Sequence, residues 1–152
     1  MTTFTLKNDN LVMEFSHSNG ALVGLSAIRT GWKILDRPHL GFSFRLLLPL
    51  SEERRNNPVY GEKQVLSSLE VAQDGCSATL GWDGITSEYG GKHDIKLTLK
   101  VTLDNLQAVF AMTVENCSGL VVENVYSPYL GDVAHPQDET WFKTFIYTYA
   151  SA

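Results

Sequence analysis

The chain has 152 residues, a formal net charge of −5 and 43% hydrophobic residues. This length fits one domain that buries roughly two-thirds of its unfolded surface and needs no metal or disulfide for stability. The acidic balance argues against nucleic acid as a partner. The longest apolar run, residues 46–50, is interrupted by a proline and is too short to cross a membrane.

Apolar residues at every second position predict strands through the first third of the chain. In chain order these are residues 4–7, 11–16, 21–28, 32–35 and 42–48. The turn signal Ser18-Asn19-Gly20 separates the second strand from the third. Pro49 ends the fifth strand, because proline cannot donate to a central ladder.

The middle of the chain contains two stretches that lack this alternation, residues 51–63 and 83–93. Between them we predict a hairpin of residues 65–73 and 76–82 over the turn Asp74-Gly75. Structureless loops longer than about 12 residues are uncommon in compact domains and are often functional. The two irregular stretches are therefore where we expect the chemistry of the protein.

The most regular pattern is a hairpin of residues 95–103 and 106–114 around the turn Asp104-Asn105, a pair that tolerates positive φ. We predict that its apolar face is buried against the apolar face of strand 42–48. The residues concerned are Leu97, Leu99, Val101, Phe110, Met112 and Val114 on the hairpin, and Phe42, Phe44 and Leu46 opposite. A last strand is predicted at 120–130, before a polar stretch.

About ten strands, with turn signals every 8 to 12 residues, predict an all-β fold, a two-sheet antiparallel β-sandwich. A jelly roll or an open barrel is the alternative architecture. We assign residues 1–139 to this domain. Residues 140–152 form an aromatic segment, which we interpret as the start of a truncated following domain. Alternatively, residues 141–149 pack back on the sandwich or form a homodimer contact.

Cys76 and Cys117 form no Cys-x-x-Cys pair, so we expect two buried free thiols and neither a metal nor a cofactor. A disulfide between neighbouring strands is the alternative. The N-terminus, residues 1–7, lacks the basic and apolar regions of a signal peptide. A processed secreted protein and a cytoplasmic one would look alike here, so the compartment stays open.

Two groups of short sequence segments resemble those of a known family. The first group is LVMEF at residues 11–15, NGAL at 19–22, TG at 30–31 and LGFSFRL at 40–46. The second is MTVEN at 112–116, VVENVY at 121–126 and YLGD at 129–132. This order resembles the N-terminal β-sandwich, a galactose mutarotase-like supersandwich, that precedes the catalytic barrel in several bacterial glycoside hydrolases.

The resemblance implies a carbohydrate-associated domain without catalytic machinery of its own. Such a domain supports a catalytic barrel in cis and sometimes lines one wall of the sugar site. The expected partners are therefore an oligosaccharide or polysaccharide and a catalytic barrel. A sugar epimerase on the same fold and a purely structural domain are the alternative functions.

Sugar binding requires flat aromatic faces for the C–H side of a pyranose, together with amide and charged groups for its hydroxyls. The irregular stretches and the turns beside them supply such groups: Trp82, Tyr89, Tyr60, Trp32, Arg54, Arg55, Asn56, Asn57, Asp83, Glu88, His93 and Asp94. We expect the ligand site on a rim built from residues 54–61 and 82–93. The alternative is that Trp82 and Trp32 belong to the core.

No catalytic residue is predicted. An epimerase would need histidines and a glutamate facing one concave sheet, and all of its candidate histidines lie next to predicted turns: His17, His39, His93 and His135. A glycosidase would need two carboxylates about 5 to 9.5 Å apart. The carboxylates near the predicted rim are loop residues whose separation the sequence does not fix.

Overall fold

The computed structural model of the chain describes residues 2–138. The aromatic segment 140–152, and with it the predicted contact through residues 141–149, lies outside the described residues. The strands are β1 Thr3–Lys7, β2 Leu11–Ser16, β3 Leu22–Ala27, β4 Trp32–Leu35, β5 Arg45–Leu47, β6 Pro58–Tyr60, β7 Ser68–Val71, β8 Ser77–Thr86, β9 Lys92–Asp104, β10 Gln107–Asn116 and β11 Asn124–Tyr126. Short 3-10 turns lie at Pro38–Leu40 and Gly61–Lys63.

The strands form an antiparallel all-β sandwich, as the alternation predicts. Hydrogen bonds divide them into a four-stranded sheet β1-β2-β3-β4, a four-stranded sheet β10-β9-β8-β7 and a small three-stranded sheet β11-β5-β6. The small sheet is connected to the first one, because the amide of Leu22 donates to the carbonyl of Phe42 at 2.9 Å, just before β5. Within the described residues, no helix is long and apolar enough to span a bilayer.

One hydrophobic core receives side chains from all three sheets. Phe44 of the segment leading into β5 packs edge to face against Trp82 of β8, with ring centroids 4.9 Å apart. Phe4 and Phe15 stack at 5.2 Å where β1 pairs with β2. The largest fully buried side chains are Trp82, Phe15, Phe44, Leu6, Met13, Leu46, Leu48, Leu80, Ile85, Ile95, Leu97 and Leu99.

The predicted apolar face of the long hairpin is confirmed on β9 and only in part on β10. Leu97, Leu99 and Val101 are buried. The corresponding residues of β10 are half-buried, because β10 is the edge strand of its sheet and lies over the margin of the core: Phe110, Met112 and Val114. Opposite them, Phe44 and Leu46 are buried as predicted, whereas Phe42 is half-buried.

The turn of this hairpin differs by one residue from the prediction. Asp104 pairs with Gln107 in the ladder, so the turn residues are Asn105 and Leu106. Asn105 adopts the positive φ of 52° that the turn requires. Leu106, which the alternation assigned to a strand, is 62% exposed.

The predicted strand 120–130 is wrong in length, since only Asn124–Tyr126 pairs with β5. The chain after it runs along β4, where the amide of Ala134 donates to the carbonyl of Ile34 at 2.8 Å. The cysteines are both free, as expected. Their predicted burial is wrong, because Cys76 is half-buried and Cys117 is exposed.

Candidate functional site

The two irregular stretches meet in the structure. Strands β5 and β6 form a hairpin that continues beyond the ladder, where the amide of Leu48 donates to the carbonyl of Asn57 at 3.0 Å. The loop joining β8 to β9 lies along the free edge of β6, since the amide of Glu88 donates to the carbonyl of Pro58 at 2.8 Å. We call residues 54–63 and 87–93 together the rim.

Both stretches are more regular than the sequence suggested. The first, residues 51–63, contains β6 and a 3-10 turn, and the second is a loop only from 87 to 91. Strand β8 continues to Thr86 through a bulge between Asp83 and Ile85, where Gly84 has a φ of 78°. A chain that switches between pairing, bulge and loop loses its apolar period, which explains the irregular pattern.

Asn57 holds the two parts of the rim together. Its side chain is completely buried, and its Nδ2 donates to the carbonyl of Leu48 at 2.9 Å and to Ser87 Oγ at 3.1 Å. Its Oδ1 accepts the amide hydrogen of Tyr89 at 2.8 Å. A buried amide with these partners is structural, so Asn57 offers no group to a sugar, contrary to its predicted role.

Ser87, like Asn57, is a buried polar residue between the two parts of the rim, with 6% exposure. Its Oγ donates to the carbonyl of Tyr89, and His93 Nε2 lies 2.8 Å from the same oxygen. The Ser87 hydroxyl is thus shared among the carbonyl of Tyr89, the imidazole of His93 and the side-chain amide of Asn57. The pair therefore stabilises the loop and does not resemble an activated serine with its base.

Gln64 makes a similar connection at the other side of the loop. Its Nε2 donates to the carbonyls of Tyr60 and Thr86 at 3.0 and 2.9 Å. Its Oε1 accepts the amide hydrogen of Thr86 at 2.9 Å. The side-chain amide thus pairs with the backbone groups of Thr86 as a neighbouring strand would. It also links the end of β8 to the end of β6, which share no ladder.

The exposed chemistry of the rim is aromatic and cationic. Tyr89 is 42% exposed, and the guanidinium carbon of Arg54 lies 3.8 Å from its ring centroid. Tyr60 is half-buried, with Lys63 Nζ at 4.6 Å and the guanidinium carbon of Arg45 at 5.6 Å from its centroid. Each tyrosine is therefore in cation–π contact with a basic side chain.

Two of the four basic residues Arg45, Arg54, Arg55 and Lys63 are paired with carboxylates in the described part of the chain. Lys63 Nζ lies 3.1 Å from Glu88 Oε2, and this hydrogen bond raises the pKa of Lys63. Arg55 pairs with Glu123 at 3.0 Å. Among the described residues, no carboxylate forms an ion pair with Arg45 or Arg54. Arg54 Nε donates only to the carbonyl of Asn56, at 3.2 Å.

Two further predicted residues lie away from the exposed face of the rim. Trp82 is 2% exposed and its Nε1 donates to the carbonyl of Asn19 at 3.2 Å. Its assignment to sugar stacking is wrong, because no face of the indole is open to a ligand. Asp83 lies on the outer face of β8, where it pairs with Lys96 at 3.3 Å and raises the pKa of that lysine.

A groove of about 500 Å³ borders the rim beside Arg54 and Arg55. Its other wall is the turn at Gly119 and Val121, and it also contains Glu52 and Glu53. The enclosed cavity between β3 and Gly131 is far smaller, about 10 Å³, which suits one water molecule at most. Of these two spaces, only the groove is large enough to admit part of a ligand.

Sequence reasoning did not single out four residues that matter at this site. Ser87 and Gln64 carry no local signal, because their roles depend on partners distant in the chain. Arg45 lies between the apolar residues Phe44 and Leu46, so the alternation predicts that it points outward. The sequence does not predict its contact with a tyrosine. Lys63 ends the irregular stretch 51–63, whose sequence predicts no fixed position for its side chain.

In the part of the chain that the structure describes, no three histidine, cysteine or acidic side chains come together to hold a metal ion. Comparisons with protein-family models, curated proteins and solved structures found no match. The resemblance to the sandwich domains of glycoside hydrolases therefore stays a prediction.

Proposed function

We propose that this protein is a non-catalytic, carbohydrate-associated β-sandwich that binds a glycan at the rim, as an accessory module of a glycoside hydrolase. The observation that supports this most is Tyr89, an exposed ring on a loop whose backbone is held by the buried side chains Asn57 and Ser87. A loop already fixed in one conformation loses less entropy when it binds a ligand.

The groups of the rim favour binding over catalysis. His93 and Ser87 are engaged with each other and with backbone, and Asp83 is paired with Lys96 on another face. Glu88, the carboxylate nearest to Tyr89 in the loop, is paired with Lys63. These side chains suit a surface that recognises hydroxyl and ring groups without transferring a proton.

The affinity should be modest. An exposed tyrosine contributes only part of the binding energy, and each loop side chain that becomes ordered costs about 0.5 to 1.5 kcal/mol. A dissociation constant in the micromolar range or weaker is therefore expected for a short oligosaccharide.

The test is an isothermal titration of the protein with a panel of uncharged and acidic oligosaccharides. Tyr89→Ala should weaken binding of whichever glycan is bound. Val109→Ala, which removes apolar surface of similar exposure from β10, should leave it unchanged. Absence of binding across the panel at millimolar concentration would contradict the proposal and leave a structural domain as its replacement.

A further inference from the structure

The small sheet presents an ordered row of side chains next to the rim. Tyr126 of β11 pairs with Arg45 of β5, and Arg45 pairs with Tyr60 of β6. Directly opposed residues of antiparallel strands point to the same side of a sheet. Phe44 and Leu46, the neighbours of Arg45 in sequence, are buried, so Arg45 and the tyrosines beside it point away from the core.

This row is partly exposed to solvent and directly continuous with the rim. Tyr126 is 50% exposed, and Arg45 and Tyr60 are half-buried. Lys63, which contacts the ring of Tyr60, and Glu88, which pairs with Lys63, connect the row to the loop of Tyr89. An arginine between two tyrosines thus lies at the centre of a polar and aromatic face.

The charges of this face favour an anion. Arg45 and Arg54 have no carboxylate partner among the described residues. Arg55 and Lys63 already pair with Glu123 and Glu88, so Arg45 and Arg54 are the cations of this face that an anion can meet, in a chain whose net charge is −5. The groove beyond Arg54 is less suitable, since Glu52 and Glu53 line it.

The rings also favour an acidic sugar over a neutral one. Arg54 lies over the ring of Tyr89, and Lys63 and Arg45 lie near that of Tyr60. A neutral pyranose that stacks on these rings must compete with the cations. A pyranose with a carboxylate instead pairs with a guanidinium through charge-assisted hydrogen bonds while its C–H face contacts an adjacent ring.

We infer that the glycan is acidic, and that Arg45, in the row Tyr126–Arg45–Tyr60, receives the carboxylate of a uronic acid residue. The inference rests on the proposed function, because it names the substrate class of the surface that includes the rim. It adds to the predicted site two residues, Arg45 and Tyr126, that lie outside both irregular stretches.

The experiment compares uronic acid trisaccharides with their methyl esters, which have the same rings without the charge. Galacturonate, glucuronate and mannuronate oligomers are titrated in parallel, with uncharged oligosaccharides and sodium sulfate as further ligands. At least one acid should bind about tenfold more tightly than its ester. Its affinity should fall as salt is raised, since screening weakens exposed charge pairs.

The variants locate the effect. Arg45→Gln should abolish the difference between acid and ester, whereas Arg29→Gln, an exposed arginine of the turn before β4, should preserve it. Circular dichroism and thermal melting check that both variants fold. An undiminished preference for the acid in folded Arg45→Gln would overturn the assignment of Arg45.

The remaining outcomes separate the two proposals. If uncharged oligosaccharides bind as well as every uronate, the inference is wrong and the proposed function stands. If sulfate competes at the affinity of the uronate itself, the face is an anion site and not a sugar site, which also overturns the inference. If no carbohydrate binds, both proposals fail.

Discussion

The two ends of strand β9 are built by different means. At its C-terminal end β9 joins β10 through a two-residue turn in which Asn105 has a φ of 52°. At its N-terminal end it joins β8 through residues 87–91. The backbone of that loop is held by Asn57, which lies 32 positions before Tyr89 in the chain.

The shape of the short turn is determined by its own residues, whereas the shape of the longer loop is determined by residues distant in the chain. A two-residue turn needs only residues that accept positive φ, which the residues of the turn themselves provide. The longer loop depends on buried amide and hydroxyl groups from another hairpin. Its shape depends on contacts with the β5–β6 hairpin, and the result is an exposed loop whose backbone is held by buried side chains.

Among the substitutions that test this difference, Asn57→Ala should cause the largest loss of stability. The change leaves the carbonyl of Leu48 and the amide of Tyr89 without their partner. The free energy of unfolding should fall by about 2 to 6 kcal/mol, because two buried polar groups lose their partner and each costs about 1 to 3 kcal/mol. Chemical denaturation measures this.

Hydrogen exchange then shows where the damage lies. In the Asn57→Ala protein the amide of Tyr89 should lose more protection than the ladder between β9 and β10, whose protection should fall only by the loss of global stability. Asn10→Ala is the matched control, because its amide bonds to Asn105 at the other hairpin and those groups are exposed. It should cost less than about 1 kcal/mol. Equal losses in the two variants would contradict the distinction.

A smaller effect is expected from Phe110→Ala on β10. Truncation of a fully buried phenylalanine to alanine lowers the free energy of unfolding by about 3 to 5 kcal/mol. Phe110, however, is only half-buried and lies on an edge strand. We expect a loss of about 2 kcal/mol by denaturant unfolding. A loss as large as that of a core phenylalanine would mean that β10 is covered in solution.

The smallest effect is expected from Asn105→Gly. Glycine adopts the positive φ of this turn without strain, and the side-chain bond that is lost, to Asn10, is exposed. The change in stability should stay within about 0.5 kcal/mol. A loss well above this value in a thermal melt would mean that the turn depends on distant contacts as much as the longer loop does.

The sequence predicts the strands well where one face is buried and the turn is short. The alternation from Ile95 to Leu103 and the signal Ser18-Asn19-Gly20 are local, so both could be read directly. The length of the strand around Val125 could not, because β11 is short and exposed and its limits depend on pairing with β5.

The sequence marks the two stretches that meet in the rim, but it does not show what each of their residues contacts. Loss of the apolar period marked both parts of the rim, because bulges and loops interrupt pairing. Whether an aromatic residue is core or surface depends on which strand face it occupies, and Trp82 alternates with buried Leu80. Whether an asparagine binds a ligand or a backbone depends on partners that the sequence does not show, as at Asn57.

The most direct test of the acidic-glycan account is an NMR titration of the isotope-labelled protein with uronic acid trisaccharides, observing backbone amides and arginine side chains. The account predicts that signals of Arg45, Tyr60, Tyr89 and Tyr126 shift together with increasing ligand. The turn at Asn105 and Leu106, at the other end of β9, should show no change. The absence of any shift at millimolar ligand, or shifts confined to that turn, would contradict it.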